Sequence, residues 1–185
     1  MGRGRLFVVS GPSGAGKSTV CKQVRRDLNI NLATSATTRA PREGEEEGRE
    51  YYFLTLKEFK KRIENDEFLE YADVHGNYYG TLKSEAESRL SRKENVVLEI
   101  DVQGGIQIKK RFKDACLVFF KAPTEKILEE RLRGRGSESE ETVQLRLKNS
   151  LKEMDFEDEY DYVIINETVD KSVSELIKII EIESK

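Results

Sequence analysis

Histidine is nearly absent from this 185-residue chain, with His75 standing alone, and cysteine occurs only twice. A single imidazole leaves metal centres and serine- or cysteine-type triads without parts. Cys21 and Cys116 fall on a predicted helix and a predicted strand, in no metal-like spacing, and are expected as two buried thiols. Long apolar runs are missing too: nothing approaches membrane-spanning length. The first apolar run, Leu6-Phe7-Val8-Val9, is too short for a signal-peptide core and leads straight into a glycine-rich stretch. An intracellular, cytoplasmic setting is expected. Net charge is also small, −3 although 36% of residues are charged, which argues against general nucleic-acid or membrane-surface binding. The length suits one modest domain with room for an insertion.

What is present begins at residue 10. The stretch SGPSGAGKST places Gly11, Gly14 and Gly16 between a strand-like run and a helix-like one. Glycine is costly in regular structure and is kept where backbone bends sharply or approaches a ligand closely. Gly11 to Ser18 reads G-x-x-x-x-G-K-S, the phosphate-loop pattern. The first N–H groups of the helix, unpaired and at the positive end of its dipole, suit a chain of phosphates. Lys17 is expected at the outer phosphates and the Ser18 hydroxyl at a magnesium ion, so the loop is predicted to hold a nucleoside triphosphate.

Strand-like segments at 5–10, 32–36, 95–100, 115–120 and 161–165 alternate with helical ones near 17–28, 104–111, 124–133, 140–157 and 169–182. NVVLEID, ACLVFF and DYVII are nearly continuous apolar runs, as in strands covered on both faces of a parallel sheet. The alternation predicts an α/β three-layer sandwich with right-handed crossovers. Two stretches break it. Residues 36–91 are polar and aromatic, with short strands suggested by EYYFL and GNYYG and helices near 57–65 and 83–92. Residues 131–148 form a basic, glycine-containing loop leading into a helix that Ser139 caps, with Glu140 and Glu141 in its first turn. The acidic run at 43–48 is expected to be a solvated turn.

Thr37-Thr38-Arg39-Ala40-Pro41-Arg42, followed by Gly44, Gly48, Tyr51 and Phe53, resembles the signature of guanylate kinases. With GNYYGT at 76–81, LEIDVQG at 98–104 and RLRGRG at 131–136, the likeness covers essentially the whole chain in order. The resemblance implies transfer of the terminal phosphate of ATP to GMP (or dGMP), in purine nucleotide metabolism. Such transfer depends on alignment and charge neutralisation, so the scarcity of histidine is no objection. By the same resemblance, Arg39, Arg42, Tyr51 and Tyr79 grip the GMP phosphate. Glu70 reads the guanine N–H groups, with Ser35, Thr81 and Asp101 around the base. Gly11, Pro12, Ser13, Gly14, Ala15, Gly16, Lys17, Ser18 and Thr19 wrap ATP, and Asn166 touches the adenine ring. Lys17, Arg39, Arg131, Arg135 and Arg146 act on the transferring phosphates. Magnesium rides largely on ATP, with Ser18 and Asp101 as its protein partners. The implied organisation is a core of 1–34, 92–130 and 149–185, a GMP-binding domain at 35–91 and a mobile lid at 131–148. The family pattern departs at Thr81, where many relatives have serine, and at Tyr71, where some have tryptophan.

Other readings remain at this stage. Related scaffold domains bind phosphorylated peptides in a disused nucleotide site, usually with degenerate phosphate loops, whereas Lys17 and Ser18 are intact here. A phosphate-loop kinase acting on another acceptor, or a purine-nucleotide switch, fits the loop but not the signature at 37–53. Oligomeric state cannot be read from the sequence.

Overall fold

Every residue of Leu6–Ser10, the first strand β1, is buried. Leu6 and Val8 face one core while Phe7 and Val9 face another, as alternation requires of a strand covered on both sides. The computed structural model describes residues 4–28, 30–74, 76–134 and 139–185. After β1 come α1 (Lys17–Leu28), β2 (Asn31–Leu32), β3 (Ser35–Thr37), β4 (Tyr51–Phe53) and α2 (Leu56–Glu64). Then follow β5 (Phe68–Val74), β6 (Asn77–Leu82), α3 (Lys83–Ser91), β7 (Val96–Glu99), α4 (Val102–Arg111) and β8 (Cys116–Lys121). The chain finishes with α5 (Glu125–Arg133), α6 (Glu140–Met154), β9 (Tyr162–Ile165) and α7 (Val169–Glu183).

Five strands make a parallel sheet in the order β2-β7-β1-β8-β9. One core, with Leu98, Ile108, Leu117 and Phe119, lies on one face of it; Val20, Val24, Phe120, Ile164 and Leu176 fill the other. Parallel neighbours require crossovers, which the helices supply. Cys21 and Cys116 are free and buried in the second of these cores, as expected. Burial pushes the Cys21 thiol well up and the Cys116 thiol up to about 12. Among the described residues no helix is long and apolar enough to cross a membrane.

A second, four-stranded sheet runs β4-β3-β6-β5, with β3 and β4 parallel and the other pairs antiparallel. Its own small core gathers Ala36, Phe59, Phe68 and Leu82. The strand predicted at 32–36 is two strands in two sheets. Asn31 and Leu32 pair with β7, whereas Ser35 to Thr37 pair with β4 and β6. β5 occupies a stretch for which the sequence suggested no strand, because a glutamate sits at one of its buried positions. The helix predicted to reach 157 ends at Met154, and a short 3-10 turn at Glu157–Glu159 follows. Ser139 caps α6 as predicted, its hydroxyl accepting from Thr142 N at 3.3 Å.

Candidate active site

The loop between β1 and α1 is braced from three sides. The Lys17 ammonium donates to Gly11 O at 2.6 Å and Pro12 O at 3.0 Å. Burial lowers its pKa, with the nearby charges of Glu99 and Glu153 partly offsetting. Gly16 has φ +88°, and a Cβ there would collide with Asn166 Nδ2. Only glycine meets both conditions. Asn166 is buried; its amide donates to Ala15 O at 2.8 Å and accepts from Ser172 Oγ at 2.9 Å. Arg131 reaches Asn166 O at 2.9 Å and Ala15 O at 3.5 Å. From α6, Arg146 donates to Ser13 Oγ at 2.7 Å and Ser150 to Ser13 O at 3.4 Å. Glu153 faces the Ser13 amide from the same helix, its pKa raised by burial. Pro12, Gly14 and Ala15 are buried within the turn, and Thr19 is exposed beyond it. Asn166, expected at the adenine ring, has its amide committed to the loop. Arg135 lies outside the described residues.

Across the cleft, register does the assembling. Tyr51 pairs with Ser35, Ser35 with Thr81, and Thr81 with Glu70, one residue from each strand of the second sheet. Partners opposite one another share a face, so four residues separated by up to 46 positions form one row. Tyr79 stands two residues before Thr81 on the same face. Glu70 is 1% exposed. Burial, then the Asp101 carboxylate, pushes its pKa up to about 8, against the weaker opposing pull of Thr81. Glu70 Oε1 and Thr81 Oγ1 lie close but form no well-aligned hydrogen bond with each other or with another described group. A buried carboxylate oxygen whose nearby donors, the Thr81 hydroxyl and backbone, are poorly aligned has capacity for a further donor.

At the other end of the row, one Arg39 nitrogen, Nη2, donates to both Glu45 oxygens at 2.9 Å, Nη1 donates to Ala40 O at 2.7 Å, and the guanidinium lies over the Tyr51 ring, 5.4 Å from its centroid. Desolvation acts against its charge, but Glu45 and Tyr79 outweigh it and raise its pKa. Tyr51 is pushed up to about 12 by burial, so its hydroxyl stays a donor. Arg42 is exposed, and its backbone N–H donates to Glu45 at 2.7 Å. The acidic run is therefore not simply a solvated turn: Glu45 organises the arginine pair, and Glu47 accepts from Phe53 N at 2.8 Å. The guanidinium thus already holds an anionic group at this end of the row, through a single nitrogen.

A single cavity of about 640 Å³ joins the two halves, lined by Lys17 and Arg146 on one side, Arg39 and Tyr51 on another, and Glu70 and Asp101 at its inner end. Asp101 caps α4, accepting from Gly104 N at 3.1 Å. The Ser18 hydroxyl donates to Glu99 Oε1. Ser18, Glu99 and Asp101 offer only hard oxygen donors, which fits a magnesium ion carried mainly by phosphate and water. Among the described residues no cluster of three or more acidic, histidine or cysteine side chains forms a cage of its own.

Sequence reasoning did not single out Glu45 or Glu153. Glu45 sits in an acidic run whose composition reads as solvent-facing, and Glu153 is one acid among many on α6. Their roles come from packing, which spacing alone does not reveal. Arg133, which the resemblance does not place at the phosphates, bonds Glu129 and Glu140 on the surface.

A profile of the guanylate kinase family matches residues 3–183. A guanylate kinase of Fusobacterium nucleatum is 62% identical over 181 residues, covering 98% of each chain. A crystal structure of guanylate kinase from Anaplasma phagocytophilum superposes with a TM-score of 0.82 at 31% identity, covering all of this chain and 88% of that one. A shikimate kinase from Bacteroides thetaiotaomicron shares the fold, with a TM-score of 0.51 at 15% identity over 96% of this chain and 98% of that one.

Proposed function

This chain belongs to the guanylate kinase family, an ATP:GMP phosphotransferase, and we propose that the cavity between its two sheets is where GMP receives the terminal phosphate of ATP. What carries the site assignment is the row Tyr51-Ser35-Thr81-Glu70, with a buried acceptor at one end, the Arg39 guanidinium at the other, and the phosphate loop across the same cavity. Glu70 accepts from guanine N1–H and N2–H. Adenine lacks that donor pair, so the wrong base leaves buried groups unpaired. Ser35 and Thr81 complete the base site, with Asp101 beside it. Arg39, Arg42, Tyr51 and Tyr79 hold the GMP phosphate.

On the donor side, Lys17 leaves the carbonyls of Gly11 and Pro12 for the outer phosphates, and the loop amides from Gly14 to Thr19 cradle the rest. A phosphate oxygen of GMP forms a bond to the terminal phosphorus of ATP while the bond to the bridging oxygen breaks, releasing ADP and GDP. That attacking oxygen is already ionised, so no general base is needed. Arg146, and Arg131 from behind the loop, offset the charge that spreads over the transferring oxygens. Ser18 and Asp101 are the residues that would hold magnesium, which supplies charge neutralisation on the ATP phosphates. We keep the division into a core, a GMP-binding domain at 35–91 and a lid at 131–148, with the lid excluding water during transfer. A cytoplasmic location and the use of dGMP belong to the same reading.

The test is ADP formation from ATP and magnesium with GMP, dGMP, AMP, CMP and UMP, repeated with Glu70→Gln. Turnover with GMP that this substitution weakens selectively is the expected result. Preference for AMP would overturn the base assignment.

A further inference from the structure

α4 ends β7 with a tight cap at Asp101 and then runs beneath β5, the strand that carries Glu70. Three residues of α4, spaced so that they share one face, meet β5 around that glutamate: Gly104, Gln107 and Arg111. Gln107 donates to Tyr71 O at 2.8 Å and accepts from Tyr71 N at 3.3 Å. Arg111 donates to Leu69 O at 2.7 Å and Phe68 O at 3.2 Å. The backbone on both sides of Glu70 is therefore clamped to the helix, and Leu69 is packed into the same core as Ile108 of α4.

Gly104 is the third contact, and it works by absence. Its backbone lies outside the left-handed region, so conformation does not demand glycine there. In a helix interior alanine is the better former. A Cβ at 104, however, would overlap Glu70 Oε2, and it would stand 3.1 Å from Glu70 Cδ and 3.2 Å from Ile100 Cδ1. The clamp resists separation of helix and strand, so the conflict is relieved at the carboxylate itself.

We infer that this face of α4 fixes how far the Glu70 carboxylate reaches into the cavity, and that Gly104 is the positioning residue that sets guanine specificity. The inference rests on the reading of Glu70 as the group that accepts from the base. It assigns a role in nucleobase choice to a residue outside the cavity lining. Gly104 also touches the second carboxylate, since its N–H bonds the partly buried Asp101 at 3.1 Å.

The experiment is steady-state kinetics of Gly104→Ala with GMP and with IMP, which lacks the 2-amino group. Expected is a rise in KM for GMP of about tenfold or more, as for loss of a hydrogen bond to a charged group. The KM for ATP and kcat at saturating GMP should stay within about twofold. Discrimination between GMP and IMP should shrink. Glu70→Asp, one methylene shorter, withdraws the carboxylate from the methyl, so adding Gly104→Ala to that background should change KM by no more than about twofold.

An unchanged KM for GMP in Gly104→Ala, alongside lost selectivity in Glu70→Gln, overturns this inference and leaves the site reading standing. Retained guanine selectivity in Glu70→Gln overturns the site reading instead. Should Gly104→Ala alone fail to fold, recovery of the fold in the double variant supports the inference. Failure of both means the methyl meets something other than the carboxylate, and the inference falls.

Discussion

Replacing Glu70 by glutamine should make the nucleotide-free protein more stable while crippling its choice of base. The carboxyl is 1% exposed, and its pKa in the folded state is about 8, against 4.5 for an ordinary glutamate. Between those two values the folded chain binds a proton that the unfolded chain has released. Stability therefore falls as pH rises through that window, and is fully present only below the lower value. At about 1.36 kcal/mol per pH unit, the cost accumulated by pH 7 is roughly 3 kcal/mol. Glutamine is neutral throughout and carries none of it; its carboxamide instead adds a pH-independent offset of about 1–3 kcal/mol where donors stay unpaired. Urea unfolding of both proteins from pH 4.5 to 8.5 separates the two contributions. The stability difference should move in favour of glutamine by about 3 kcal/mol up to pH 7 and level off above pH 8. The same linkage makes GMP binding proton-coupled, because only the ionised carboxylate accepts from both guanine donors. At pH 7 about 0.9 of a proton should leave Glu70 on binding. Calorimetry in two buffers of different ionisation heat measures that release, and it should vanish in the glutamine variant. A stability difference that is constant with pH would refute the argument.

Lys17→Ala and Arg39→Ala should each remove most turnover, by about a hundredfold or more, with circular dichroism unchanged. For Arg39 the loss should include KM for GMP; full activity in either variant would overturn its assignment. Asn166→Ala should destabilise the fold by about 2 kcal/mol and raise the KM for ATP, because it leaves Ser172 Oγ unpaired inside the protein and Ala15 O with only its long bond from Arg131. Urea titration and kinetics with varied ATP check both effects together. Gly16→Ala should abolish ATP binding, measured by titration calorimetry, since both its positive φ and Asn166 exclude a side chain.

The parallel sheet and the phosphate loop were legible because their signals are local. An apolar run buried on both faces and a glycine turn ahead of a helix each announce themselves within ten residues. The second sheet was harder. Ser35 and Leu32 look like one strand, and only long-range pairing assigns them to different sheets. The row from Tyr51 to Glu70 was named residue by residue from a family likeness, yet its physical basis is cross-strand register, which no single segment carries. Glu70 is enclosed, a depth that packing of β5 against α4 decides and no local signal marks. Asn166 was expected at the adenine ring from the family likeness; that its amide also braces the loop follows from where β9 ends beside Ala15.

The pair of enclosed thiols gives this protein an internal clock. Cys21 sits one turn beyond Ser18 on the helix that leaves the phosphate loop, and Cys116 opens a central strand. Neither presents a thiolate to solvent in the closed fold, so an alkylating reagent reports only excursions that expose them. Labelling at Cys21 alone would time the detachment of α1; equal rates at both would time opening of the whole sheet. On the proposed reading, in which the first turn of that helix grips ATP, the nucleotide's effect on the Cys21 rate converts its affinity into a local opening frequency, read by mass spectrometry on the unaltered chain.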